Sequence, residues 1–223
     1  MNVICEICRN ERAKMAPEIL EKEKIDGKNF SPVFKGFSSS DDSEELKIAD
    51  FLIISESIGN LDHHMRKIRR GKTPEGLLKD YYMVDQLETF NQQEIRKLLT
   101  AISDLEKTFY FTDVIKCFVL KKKASKNFLN AAEYCSEKFL RRQVQMMKPR
   151  VVVLLGRLSE EMFFRKVISK NNYVKASHGA SLSLDETKVV YSAFPSAMNA
   201  DRFVKGGGIP KLKETISFLS ESF

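Results

Sequence analysis

Four short apolar runs separated by helix-length stretches constrain this chain most: residues 49–55 (ADFLIIS), 109–117 (FYFTDVIKC), 151–156 (VVVLLG) and 188–194 (KVVYSAF). Short apolar runs with little polar alternation suit strands covered on both faces, as in a parallel sheet. The sequence between them carries helical signals. Ile95, Leu98, Leu99 and Ile102 recur at helical spacing within 88–105, and Phe139, Leu140, Val144 and Met147 do so within 130–147, which Pro149 closes. Residues 159–168 read as a crossover helix and 210–223 as a terminal amphipathic helix. Strands alternating with helices predict an α/β, three-layer αβα sandwich around a central, mostly parallel four-stranded sheet. A chain of 223 residues suffices for one well-filled core and is short for two. The expectation is one domain, with 1–48 as an arm and 49–223 as the α/β core.

In open α/β sheets the ligand lies beyond the carboxyl ends of the strands. The residues there are Ser55-Glu56-Ser57-Ile58-Gly59, Thr112-Asp113, Gly156 and Pro195-Ser196-Ala197-Met198-Asn199, which are expected to converge on one crevice. Basic residues flank the same ends: Arg66, Lys67, Arg69 and Arg70, then Lys121, Lys122, Lys123 and Lys126, then Arg202 and Lys205 beside Gly206-Gly207-Gly208. With a formal charge of +7, this pattern suits a polyanionic partner. Hydroxyl, amide, cations and glycines at Ser196, Asn199, Arg202 and Lys205 suit close approach to phosphate.

No apolar run is long enough to span a bilayer, and residues 1–12 mix charges with apolar residues and lack the apolar core of a secretory leader. A cytoplasmic, nucleoid-associated monomer away from membranes is therefore expected, in a compartment where structural disulfides are rare. The four cysteines need another role. Cys5 and Cys8 form a Cys-x-x-Cys pair, Cys117 ends a strand, and Cys135 falls within a helix. Four thiolates so placed suit one metal centre, and spacing leaves zinc and iron–sulfur both open. A redox dithiol fits less well, because that motif normally follows a strand and opens a helix.

At these residues the chain resembles the iron–sulfur family-4 uracil-DNA glycosylases, within the wider uracil-DNA glycosylase superfamily. That family opens with Cys-x-x-Cys and carries a strand into Gly-Glu-Ala-Pro-Gly; here residues 51–59 read FLIISESIG. Its Thr-Asn-x-x-Lys-Cys is matched by residues 112–117, TDVIKC, and its Pro-Lys-Val-Ile-x-x-Leu-Gly by residues 149–156, PRVVVLLG. Its His-Pro-Ser corresponds to Phe194-Pro195-Ser196. The resemblance implies a 4Fe–4S cluster on Cys5, Cys8, Cys117 and Cys135, in preference to structural zinc. It also implies single- or double-stranded DNA as partner, and excision of a flipped uracil or other altered base by hydrolysis of the N-glycosidic bond.

The family's motif positions are kept unevenly. Glu56 matches the acidic residue that would position water or balance an oxocarbenium-like sugar, and Ser196 is retained. Asp113 stands where the family has asparagine. An ionised carboxylate only accepts hydrogen bonds, so it favours a base edge bearing an amino donor over uracil O4. Phe194 replaces the histidine that donates to the leaving base, and His63, His64 or His178 would have to substitute. Tyr81 and Tyr82 are candidates for stacking on the base. Two readings follow: a DNA glycosylase of altered base preference, or a catalytically inactive iron–sulfur nucleic-acid-binding protein with a glycosylase-like fold. A small-nucleotide hydrolase would need a metal–phosphate constellation that the sequence does not present.

Overall fold

A computed structural model describes residues 36–39, 49–57, 89–116, 126–170, 175–195 and 200–221. Strands β1 (Phe37–Ser38), β2 (Phe51–Ser57), β3 (Phe109–Ile115), β4 (Val151–Leu155), β5 (Ser181–Leu184) and β6 (Thr187–Ser192) form one sheet in the order β1-β3-β2-β4-β6-β5. The inner four, β3-β2-β4-β6, are all parallel, and they correspond to the four apolar runs. Every side chain of β4 is buried, as a run of Val and Leu without alternation requires. Two edge strands extend the sheet beyond the expected four, and both pair antiparallel: β1 on β3, and β5 on β6. β1 comes from within the stretch read as an arm.

Helix α1 (Phe90–Ser103) begins at a capping box. The amide of Gln92 donates to Thr89 Oγ1 at 3.3 Å, and the amide of Thr89 donates to Gln92 Oε1 at 3.0 Å. Helix α2 (Lys126–Cys135) runs through a π-helical turn (Ser136–Leu140) into α3 (Arg141–Met147). Lys148 ends it in the left-handed region, ahead of Pro149. After β4 comes α4 (Arg157–Met162) with its own π turn (Phe163–Val167). The chain then forms α5 (Ala200–Lys205) and α6 (Gly208–Ser220) after β6. The short α5 carries Arg202 and Lys205.

Helix α1 packs with α6 on one face, and α2–α3 pack with α4 and its π turn on the other, giving three layers. Lys166 ties the second group together, bridging to Glu133 at 3.3 Å and Glu137 at 3.2 Å. The strand order fixes where a ligand belongs. From β2 the chain crosses to β3 on one side; from β4 it crosses to β6 on the other. Adjacent strands whose connections leave in opposite directions open a crevice at their carboxyl ends. Here that crevice lies between Ser57 and Leu155.

Candidate active site

A cleft of about 550 Å³ occupies that position. Glu56 lines it from the end of β2, Gly156 and Arg157 from the end of β4, Tyr191 and Phe194 from β6 and the residues after it, and Phe128 from α2. Its size suits a nucleoside. Gly156 sits at φ 93°, and a Cβ there would stand 3.0 Å from the Cβ of Phe194. Glycine is thus required for the backbone turn and for the approach of β4 to Phe194.

Glu56 is the one carboxylate among the described residues that line this cleft. It is buried, and its Oε1 has no hydrogen-bond partner among the described residues. A buried carboxylate oxygen without a partner is costly, which points to a group that it meets only when a ligand is present.

Strand alternation separates the two acidic residues expected to share a site. Ser55 is the register partner of Asp113, so these two face one side of the sheet, and Glu56 faces the other with Thr112. Asp113 is buried on the face opposite the cleft, in company with the buried hydroxyls of Ser55 and Ser57, and does not line it. Of the other expected site residues, Arg202 lines the cleft and Lys205 is exposed on α5. Ser196, Asn199, His63, His64, Tyr81, Tyr82, Arg66, Lys67, Arg69, Arg70, Lys121, Lys122 and Lys123 lie outside the described residues, as do Cys5, Cys8 and Cys117.

His178 reaches the cleft but is committed elsewhere. Its Nδ1 accepts from the amide of Ala193 at 3.2 Å, and its Nε2 lies 2.9 Å from the carbonyl of Gly208. A carbonyl only accepts, so Nε2 carries the proton and the ring is neutral. Burial pushes its pKa below 6.5, opposed by the bond to Gly208. Both nitrogens are therefore used to hold the end of β6 to the start of α6, and His178 does not replace the donor lost at Phe194. A lowered folded-state pKa gives stability that is complete above the unfolded pKa of 6.5 and lost as pH falls through the folded value. The melting temperature should fall on acidification below 6.5, and less steeply in His178→Gln. Equal slopes for the two proteins would refute the assignment.

Cys135 is fully buried at the carboxyl end of α2. Beside it the Oγ of Ser136 is buried with no partner among the described residues. Lys116, the residue preceding Cys117, is also fully buried, and its Nζ donates to Thr112 Oγ1. Burial lowers its pKa to about 8, against the raising influence of Asp113 and then Cys135. The residue preceding the third cysteine and the fourth cysteine thus meet at one buried, polar corner. A sulfur-rich anionic group would be compatible with this corner, where among the described residues the ammonium donates to one neutral hydroxyl.

The sequence profile of the Uracil DNA glycosylase superfamily matches residues 58–213, well over half of the chain. The chain belongs to that superfamily. The matched stretch contains Asp113, Gly156 and Phe194-Pro195-Ser196, and begins two residues after Glu56. Superfamily membership brings a glycosylase-like function acting on DNA. No curated protein matches the chain. Among the described residues, no helix is long and apolar enough to cross a membrane.

Proposed function

We propose that this protein is a DNA base-excision glycosylase that receives a flipped nucleotide in the cleft between β2 and β4 and hydrolyses its N-glycosidic bond. The observation that carries this reading is Glu56, which lines the cleft at the topological switch point and whose buried Oε1 has no partner among the described residues. Departure of the base leaves positive charge on the sugar, and a desolvated carboxylate beside it stabilises that charge or orients the attacking water. Base preference is altered from uracil, because Phe194, which lines the cleft, offers none of the donors that a departing anion needs. Cys5, Cys8, Cys117 and Cys135 hold a 4Fe–4S cluster that fixes the N-terminal segment to the core, a structural role; zinc is the alternative occupant.

A second reading, binding without catalysis, draws on Phe194 and on the full commitment of His178. One assay separates the two. Full-length protein is incubated with single- and double-stranded oligonucleotides carrying uracil, hypoxanthine, xanthine or cytosine, and released base is measured. Excision of at least one base, reduced about 10²-fold or more in Glu56→Gln, is the expected result. DNA binding with no release of any base would favour the second reading.

A further inference from the structure

Arg157 directly follows the glycine of VVVLLG. The structure gives it a built setting. Its Nη1 donates to Glu160 Oε2 at 2.5 Å, and Glu160 is fully buried. The other oxygen of Glu160, Oε1, accepts from the amide of Ala176 at 2.7 Å. The carboxylate is therefore used on both sides and anchored to the backbone. The guanidinium also lies over the ring of Tyr191, its Cζ 4.4 Å from the centroid. The cation–π contact and the charge-assisted bond together hold the group in place.

What remains available is as informative as what is used. The Arg157 side chain is 52% exposed while that of its partner Glu160 is 1% exposed. A guanidinium has five N–H donors, and the one bond to Glu160 among the described residues leaves others for a ligand. Arg202 lines the same cleft from α5. It lies near enough to lower the Tyr191 pKa together with Arg157, although burial and Glu160 leave that pKa raised overall. Two guanidiniums thus lie around Tyr191, and that of Arg157 is paired with Glu160. Planar guanidinium donors at the rim of a nucleoside-sized cleft, with Glu56 set deeper within it, are suited to an oxyanion with paired oxygens.

We propose that Arg157 and Arg202 form a phosphate clamp at the mouth of the cleft, which grips a phosphodiester of the strand whose nucleotide enters it. This inference rests on the reading of the cleft as a nucleotide site. The clamp positions substrate and takes no part in bond cleavage. Arg157 supplies a rigid fork, held from behind by Glu160 and from below by Tyr191. Arg202 supplies a second charge from the far wall.

Equilibrium binding of full-length protein to a single-stranded oligonucleotide with one abasic-site analogue, over a salt series, tests the clamp. Arg157→Gln and Arg202→Gln should each weaken binding several-fold and reduce the slope of log K against log salt by about 0.7, the contribution of one phosphate contact on a single strand. Arg157→Lys should recover only part of the affinity, because an ammonium lacks the fork. Lys213→Gln, at the groove between α1 and α6, is the control. Equal losses in Arg157→Gln and Lys213→Gln would overturn the clamp, as would a thymidine monophosphate that competes as well per phosphate as the strand. Absence of DNA binding by the wild type would overturn the nucleotide reading and the clamp with it. Absence of base release with the slope effect intact would remove the glycosylase reading alone.

Discussion

Replacing Cys135 with serine is expected to give protein that is isolated without iron and melts below the wild type. Wild-type protein, purified without oxygen, should be brown and carry about four irons per chain, as a four-cysteine cubane cluster implies. The effect on stability follows from what lies beside Cys135. Lys116 is fully buried, donates to one neutral hydroxyl, and has Asp113 and Cys135 as its neighbouring anionic groups. With Asp113 left in place, losing the second charged partner of a buried ammonium costs about 1–3 kcal/mol. For a chain of this size that is a drop of roughly 2–12 °C in melting temperature. Cys5→Ser should also lose iron, because ligation is coupled to folding of the segment that supplies the ligand. Stoichiometric zinc without iron, from cells with intact cluster assembly, would assign the site to zinc. A metal-free wild type that melts at the same temperature as Cys135→Ser would reduce Cys135 to a packed thiol.

The inner sheet was legible because β2, β3 and β4 are buried throughout and β6 over most of its length. A strand such as Val151–Leu155, covered on both faces, leaves a run that few other structures tolerate. The edge strands carry no such mark. Ser181–Leu184 is largely exposed, with Leu182 facing solvent, and Phe37–Ser38 is only two residues long. Their pairing is set by neighbouring strands, which local sequence does not encode. The same limit applies to the site. Glu56, Gly156 and Phe194 stood out by motif and do line one cleft. That Glu56 and Asp113 face opposite sides of the sheet depends on the register Ser55↔Asp113, and register is a tertiary property. Arg157 and Glu160 had visible i,i+3 spacing, but that pattern marks ordinary helix surfaces far more often than an anchored guanidinium. The decisive facts, the burial of Glu160 and the cation–π contact with Tyr191, belong to the fold.

The wild-type protein should excise uracil slowly or not at all, and Phe194→His should raise the rate about 10²-fold. Phe194 lines the cleft with Glu56, so a histidine there places a ring N–H within the space a departing base would occupy. One recovered donor to a developing oxyanion accounts for about 10²–10³ in rate. No existing group masks the effect among the described residues, since both nitrogens of His178 are engaged. Asp113→Asn is the companion change, because an amide supplies the donor for uracil O4 that an ionised carboxylate lacks. It also withdraws an anionic neighbour from Lys116, so iron content and a cooperative melt must be shown for each variant. If Asp113 contacts the base, the double variant should exceed either single change by more than their separate effects suggest, because groups acting on one transition state are not additive. If Asp113 serves only Lys116 from across the sheet, the double variant should match Phe194→His. Robust uracil excision by the wild type would sink the account of Phe194. So would a folded, iron-bearing double variant with no gain, which would mean that the cleft serves a base whose departure needs no donor at position 194.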